Sequence, residues 1–147
     1  MALVIIAIVG VAAILLMAGG GILGSRLSAS EIAGYAQNAG FSGSDLTMAV
    51  AVALAESSGN PAAHGDLAIT PGGSVGLWQI NLKYHPEFNG QDLTDPQTNA
   101  NAAYAIYHKA GNRFTDWSTY NDGISGNLLA QAGQGVTDMQ SAGMESA

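Results

Sequence analysis

From Leu46 to Ala55 the chain reads Leu-Thr-Met-Ala-Val-Ala-Val-Ala-Leu-Ala. A helix that is apolar nearly all round has no face to offer to water, so it belongs in the middle of a domain with other elements packed around it. Ser44 is placed to cap its start, the helix runs from Asp45 to about Ser57, and Gly59-Asn60-Pro61 stops it. A carboxyl group therefore leaves this apolar helix at Glu56. Partial desolvation there favours the neutral acid and raises its pKa, and a carboxyl still protonated near neutral pH is the form a general acid needs. The plainer reading is a solvated helix-end residue. The helix macrodipole disfavours an acid at that end, which counts against it.

The rest of the chain arranges itself around this element. Ser30 can cap a helix through Ile32 and Tyr35 toward Gly40. Residues 59–75 are rich in Gly and Pro and read as loop, and Val75 to Asn81 reads as a short strand or hairpin arm. Asp95 caps a third helix with Pro96 at its first position and Gly111 past its end, and Ala100, Ala103, Tyr104 and Tyr107 form one stripe along it. A last helical stretch starts near Thr115 and carries Trp117 and Tyr120, whereas residues 133–147 show no periodicity and read as a flexible tail. The expected fold is mainly α with a small β element.

Residues Ala2 to Gly24 contain no charged side chain. As a helix they would reach ~34 Å at 1.5 Å per residue, enough to cross a bilayer core of about 30 Å. A single transmembrane helix over 1–24 is therefore expected, joined by a linker over 25–30 to a domain over 31–132. A cleaved signal peptide is the alternative; no Lys or Arg precedes the apolar run, which disfavours it. Gly20 and Gly24 form a small-xxx-small pair suited to self-association. Arg26 alone on the C-terminal flank points to a cytoplasmic domain. The net charge is −7, with only four Lys and Arg in total, which excludes nucleic acid as the natural partner. Cysteine is absent, so neither disulfides nor thiolate chemistry are available. His64, His85 and His108 lack metal-ligand spacing, and no cofactor or metal is expected.

Five short segments in order then carry a resemblance. Ala53-Leu54-Ala55-Glu56-Ser57-Ser58-Gly59-Asn60-Pro61 resembles the catalytic motif of the lytic transglycosylases of the lysozyme-like superfamily. Gly76-Leu77-Trp78-Gln79-Ile80-Asn81 resembles their second motif. His85-Pro86 and Asp95-Pro96-Gln97-Thr98-Asn99-Ala100 follow in the order of phage-encoded members, and Trp117-Ser118-Thr119-Tyr120-Asn121-Asp122-Gly123 resembles the closing Tyr-Asn-x-Gly motif. One such motif is weak, but several in order at compatible spacing are specific.

The resemblance implies a lysozyme-like domain that cuts peptidoglycan between N-acetylmuramic acid and N-acetylglucosamine. Glu56 would serve first as acid and then as base, giving a 1,6-anhydro product. Tyr120 would set its hydroxyl against the Glu56 carboxyl, Gln79 would bind substrate through its amide, and Ser74 is a candidate partner for the N-acetyl group. Trp78 could stack on a sugar or fill the core, and packing is the safer expectation. Gly76 lets backbone approach glycan or helix closely. Asp66 could position a water in a hydrolytic, goose-type variant, although an ordinary loop aspartate is the default. The implied setting is a membrane-anchored phage virion component with its domain on the peptidoglycan side, opening the wall locally, which is the opposite of the orientation that Arg26 alone favours. A glycan-binding structural part of a virion or channel, associating with other such proteins or with itself, and a signal-anchored endolysin are the alternatives.

Overall fold

The computed structural model describes residues 25–68 and 70–145. It is mainly helical: α1 (Ala29–Ala39), α2 (Gly43–Ser57), β1 (His64–Gly65), β2 (Ser74–Val75), β3 (Ile80–Asn81), α3 (Pro96–Lys109), α4 (Ser118–Asn121) and α5 (Leu129–Glu145), with 3-10 turns at Pro86–Phe88 and Ser125–Leu128. The expected membrane-spanning segment, with its Gly20 and Gly24 pair, lies outside the described residues. Among the described residues no helix is long and apolar enough to cross a membrane.

Helix α2 is central, as its composition requires. Its residues Ala49 to Ala53 have no exposed surface at all, and α1, α5 and the Ser125–Leu128 turn pack against it. Ser58 ends it in the left-handed region at φ 51°, its N–H donating to the Leu54 carbonyl, and Gly59 follows at φ 78°. Helix α1 begins earlier than its serines suggest. Ser28 rather than Ser30 is the cap, because Glu31 lies three residues on and completes a capping box. Ser42 rather than Ser44 precedes α2 and makes no side-chain cap bond. Asp95 caps α3 as expected, accepting from the Thr98 N–H at 2.8 Å, with Pro96 in the first turn.

Two parts of the expected domain plan change. Residues 133–145, expected as a tail, are most of α5, which buries Ala132, Gly135 and Val136. Ala132 and Gly135 are small residues that hardly register as hydrophobic in sequence, yet smallness is what the packing uses: a Cβ on Gly135 would lie 2.4 Å from the Cβ of Ala29 on α1. The expected linker is also part of the fold. The Leu27 N–H donates to the Gly59 carbonyl at 2.8 Å, and Arg26 Nη1 donates to the Ser58 carbonyl at 2.9 Å. Arg26 thus holds free carbonyls at the negative end of α2, a role that does not depend on membrane orientation.

The small β element is an antiparallel sheet in the order β1-β2-β3, pairing His64 with Val75, Gly65 with Ser74, Ser74 with Asn81 and Val75 with Ile80. It is joined to α3 through Asn99, which is fully buried. Asn99 Nδ2 donates to the Val75 carbonyl at 2.9 Å, and its Oδ1 accepts from the Trp78 N–H at 2.8 Å. Further along α3, Phe41, Tyr104, Tyr107 and Phe114 form an aromatic cluster, with Phe41 and Tyr104 edge-to-face at 5.1 Å.

Candidate active site

An open cleft of about 480 Å³ lies between the sheet and the segment that precedes α4, within the range of small-molecule sites. Glu56, from the last turn of α2, lines it together with Asp66, Ser74, Gln79, Tyr84 and Asp116. Only 7% of the Glu56 residue surface is exposed. Burial is the largest influence on its carboxyl and pushes the pKa up to about 7; the nearby Asp66 carboxylate pushes in the same direction, while hydrogen bonds from Thr119 oppose both. The Thr119 hydroxyl donates to Glu56 Oε1 at 2.7 Å, which fixes the orientation of the acid.

That hydroxyl was expected from Tyr120. The structure instead turns Tyr120 outward: it is 37% exposed, its ring lies against Phe114 at 5.8 Å, and it does not line the cleft. Helix α4 has only four residues, so its facing is set by how Trp117 anchors it, not by a periodic pattern. Trp117 is buried and its Nε1 donates to the Trp78 carbonyl at 2.8 Å. With the indole fixed there, Thr119 points at Glu56.

Trp78 is core and not a sugar platform. It is fully buried, and its Nε1 donates to the Ala49 carbonyl of α2 at 2.9 Å. Gln79 reaches the cleft in a left-handed conformation at φ 47°. Its amide nitrogen donates to the Ala63 carbonyl at 3.1 Å and the Gly76 carbonyl at 2.9 Å. Both amide protons are therefore used by backbone, and Gln79 can offer a ligand only its carbonyl oxygen. Gly76 approaches α3, as one of its two expected roles required: its φ is +81°, and a Cβ there would meet the Leu93 carbonyl and the Asn99 amide.

Ser74 is almost fully buried, and its hydroxyl donates to Asp66 Oδ2 at 2.6 Å. Asn81, its cross-strand neighbour, donates from Nδ2 to Ser74 Oγ at 3.1 Å and to Thr70 Oγ1 at 3.1 Å. The aspartate is thus held at the cleft by a chain of side chains, and is not an ordinary loop residue. The part played by Asn81 and Thr119 was not legible in the sequence. Both stand inside quoted motifs, but nothing in their type or spacing separates them from neighbours.

The site makes one pH prediction. Thr119→Val removes a hydrogen bond that favours ionised Glu56, so the carboxyl pKa rises further and the alkaline limb of any Glu56-dependent activity moves to higher pH. A pH–rate profile of the variant checks this; an unmoved alkaline limb would mean Thr119 does not tune the acid.

A carboxylic acid buried in a cleft, its pKa pushed up to about 7 and its orientation set by a hydroxyl, has the chemistry that acid catalysis of glycoside cleavage requires. The family model described as a lysozyme-like domain matches residues 33–119, and the chain belongs to that family. Membership supports an enzyme of the muramidase or lytic transglycosylase type, acting on peptidoglycan, at the level of the superfamily. No curated protein and no solved structure matches the chain.

Proposed function

We propose that the chain cleaves the β-1,4 bond between N-acetylmuramic acid and N-acetylglucosamine in peptidoglycan, with Glu56 as the catalytic acid and then the base. The observation that carries this reading is the Glu56 carboxyl, buried at the cleft floor with a pKa raised to about 7. A carboxyl with that pKa is substantially protonated at neutral pH and can still accept a proton later in the cycle. In the transglycosylase form, the muramoyl 6-hydroxyl attacks and a 1,6-anhydro end results, so no second carboxylate is required.

A second reading is favoured by one observation: Asp66 lines the same cleft, anchored by Ser74 and close enough to raise the Glu56 pKa. Asp66 could then activate a water for hydrolysis. Incubating the full chain, kept in mild detergent, with purified sacculi and analysing the fragments by mass spectrometry separates the two. Anhydro-muropeptides are the expected product, and Asp66→Asn should then retain cleavage while lowering the alkaline limb. Reducing-end products, with activity falling by about 10²-fold or more in Asp66→Asn, would replace the transglycosylase reading with hydrolysis.

The setting we propose is a phage particle, with residues 2–24 in a membrane and the domain on the peptidoglycan side for local penetration of the wall. Tethering suits a domain of net charge −7, which an anionic wall would otherwise repel.

A further inference from the structure

Tyr84 is the most exposed aromatic side chain among the described residues, at 67%, and it lines the cleft that Glu56 occupies. A large aromatic ring left in water contributes nothing to the core, and an apolar surface beside a polar cleft is a common mark of a ligand site. The other exposed large hydrophobic residues, Leu67, Tyr120, Leu129 and Met144, do not line the cleft.

The ring stands on a built turn. The Asn81 carbonyl accepts the Tyr84 N–H at 3.1 Å and the His85 N–H at 2.9 Å, and Asn81 Oδ1 accepts the Lys83 N–H at 3.0 Å. The same side chain reaches Ser74, which holds Asp66. One residue therefore fixes the Tyr84 turn and the Asp66 side of the cleft in a common frame. Lys83 Nζ sits over the Tyr84 ring, 5.6 Å from its centroid. That ammonium occupies one face, within cation–π range, and a ligand ring can take the other.

Resting on the proposed peptidoglycan reading, we infer that Tyr84 is a stacking platform for a pyranose ring of the glycan strand, a specificity-determining subsite on the rim of the Glu56 cleft. The C–H face of an N-acetylhexosamine is apolar and matches an aromatic face, while its hydroxyl and amide groups remain in the polar cleft. Recognition here is by shape and ring face, and the phenolic hydroxyl takes no part.

The test uses the full chain in mild detergent, with Glu56→Gln added for binding measurements so that nothing is turned over. Binding of a soluble N-acetylglucosamine oligomer and of purified sacculi is measured for Tyr84, Tyr84→Phe and Tyr84→Ala, with thermal unfolding as the control for folding. Tyr84→Ala is expected to weaken binding roughly tenfold, the equivalent of about 1.4 kcal/mol, with its melting temperature unchanged. Tyr84→Phe should bind within about twofold of the parent, since the face is retained. With Glu56 present, the same loss should appear in KM more than in kcat. Equal binding by Tyr84→Ala and its parent overturns the platform while the cleavage reading stands. A Phe variant as weak as the Ala variant overturns stacking in favour of a hydroxyl contact. A parent chain that neither binds nor cuts sacculi removes both the platform and the reading on which it rests.

Discussion

Glu56→Gln is expected to lower the rate of wall cleavage by about 10²–10⁴-fold and, at the same time, to make the folded protein more stable above neutral pH. Both effects have one cause. Burial raises the Glu56 pKa from 4.5 to about 7, so between those values the folded state keeps a proton that the unfolded state has released. Stability contributed by the neutral acid is complete below pH 4.5 and is lost as pH rises through 7. Above that, the buried carboxylate is a burden of about 3 kcal/mol at 1.36 kcal/mol per pKa unit. Glutamine is neutral at every pH and still presents an oxygen to the Thr119 hydroxyl. The variant should therefore unfold at higher denaturant concentration than the wild type at pH 8, with the difference closing by pH 4. Wild-type kcat/KM should fall as pH rises through about 7, as the acid loses its proton. A folded Glu56→Gln protein that cuts sacculi at the wild-type rate, or one that is less stable than wild type at pH 8, would remove this account of the site.

Some of this was legible without coordinates because it follows from local chemistry. The helix around Leu46 to Ala55 has to be buried, Asp95-Pro96 has to start a helix, and Glu56 has to leave an apolar helix at its end. Each outcome depends on residues adjacent in the chain. The misreadings share a different property. Whether Thr119 or Tyr120 meets Glu56 is decided by how the Trp117 indole docks onto the Trp78 carbonyl, a contact spanning 39 residues. The cap of α1 is the exception: Ser28-Ala29-Ser30-Glu31 is a local capping box that singles out Ser28 over Ser30. Helix α5 was not legible because Ala132 and Gly135 gain their value from fitting neighbouring helices, and small residues carry little hydrophobic signal of their own, which leaves Val136 an isolated apolar position. Asp66 gained weight for a similar reason: Ser74 holds it at the cleft from eight residues away.

Gly76→Ala is expected to be among the most damaging single-methyl changes in the described domain, and the reason is geometric. The residue sits at φ +81°, and an added Cβ would lie 2.3 Å from the Leu93 carbonyl oxygen and 2.4 Å from Asn99 Nδ2. The left-handed backbone alone costs an alanine about 1 kcal/mol. Relief of the contact must push away either backbone or Asn99, and Asn99 is the buried amide that bonds both the Val75 carbonyl and the Trp78 N–H. Losing those bonds leaves buried polar groups unpaired at about 1–3 kcal/mol each. The total reaches about 4 kcal/mol or more, a large part of the 5–15 kcal/mol typical of a domain, and should lower the melting temperature by more than about 10 °C. Gly111→Ala supplies the control, because Gly111 has a similar φ of +74° but nothing within 4 Å of an added Cβ. It should cost about 1 kcal/mol from backbone strain alone. If the two variants melt together, the contact with α3 carries no weight. If Gly76→Ala alone collapses, the second motif owes its glycine to the fit between sheet and helix. Gln79, whose amide donates to the Gly76 carbonyl, is then held at the cleft by that same fit.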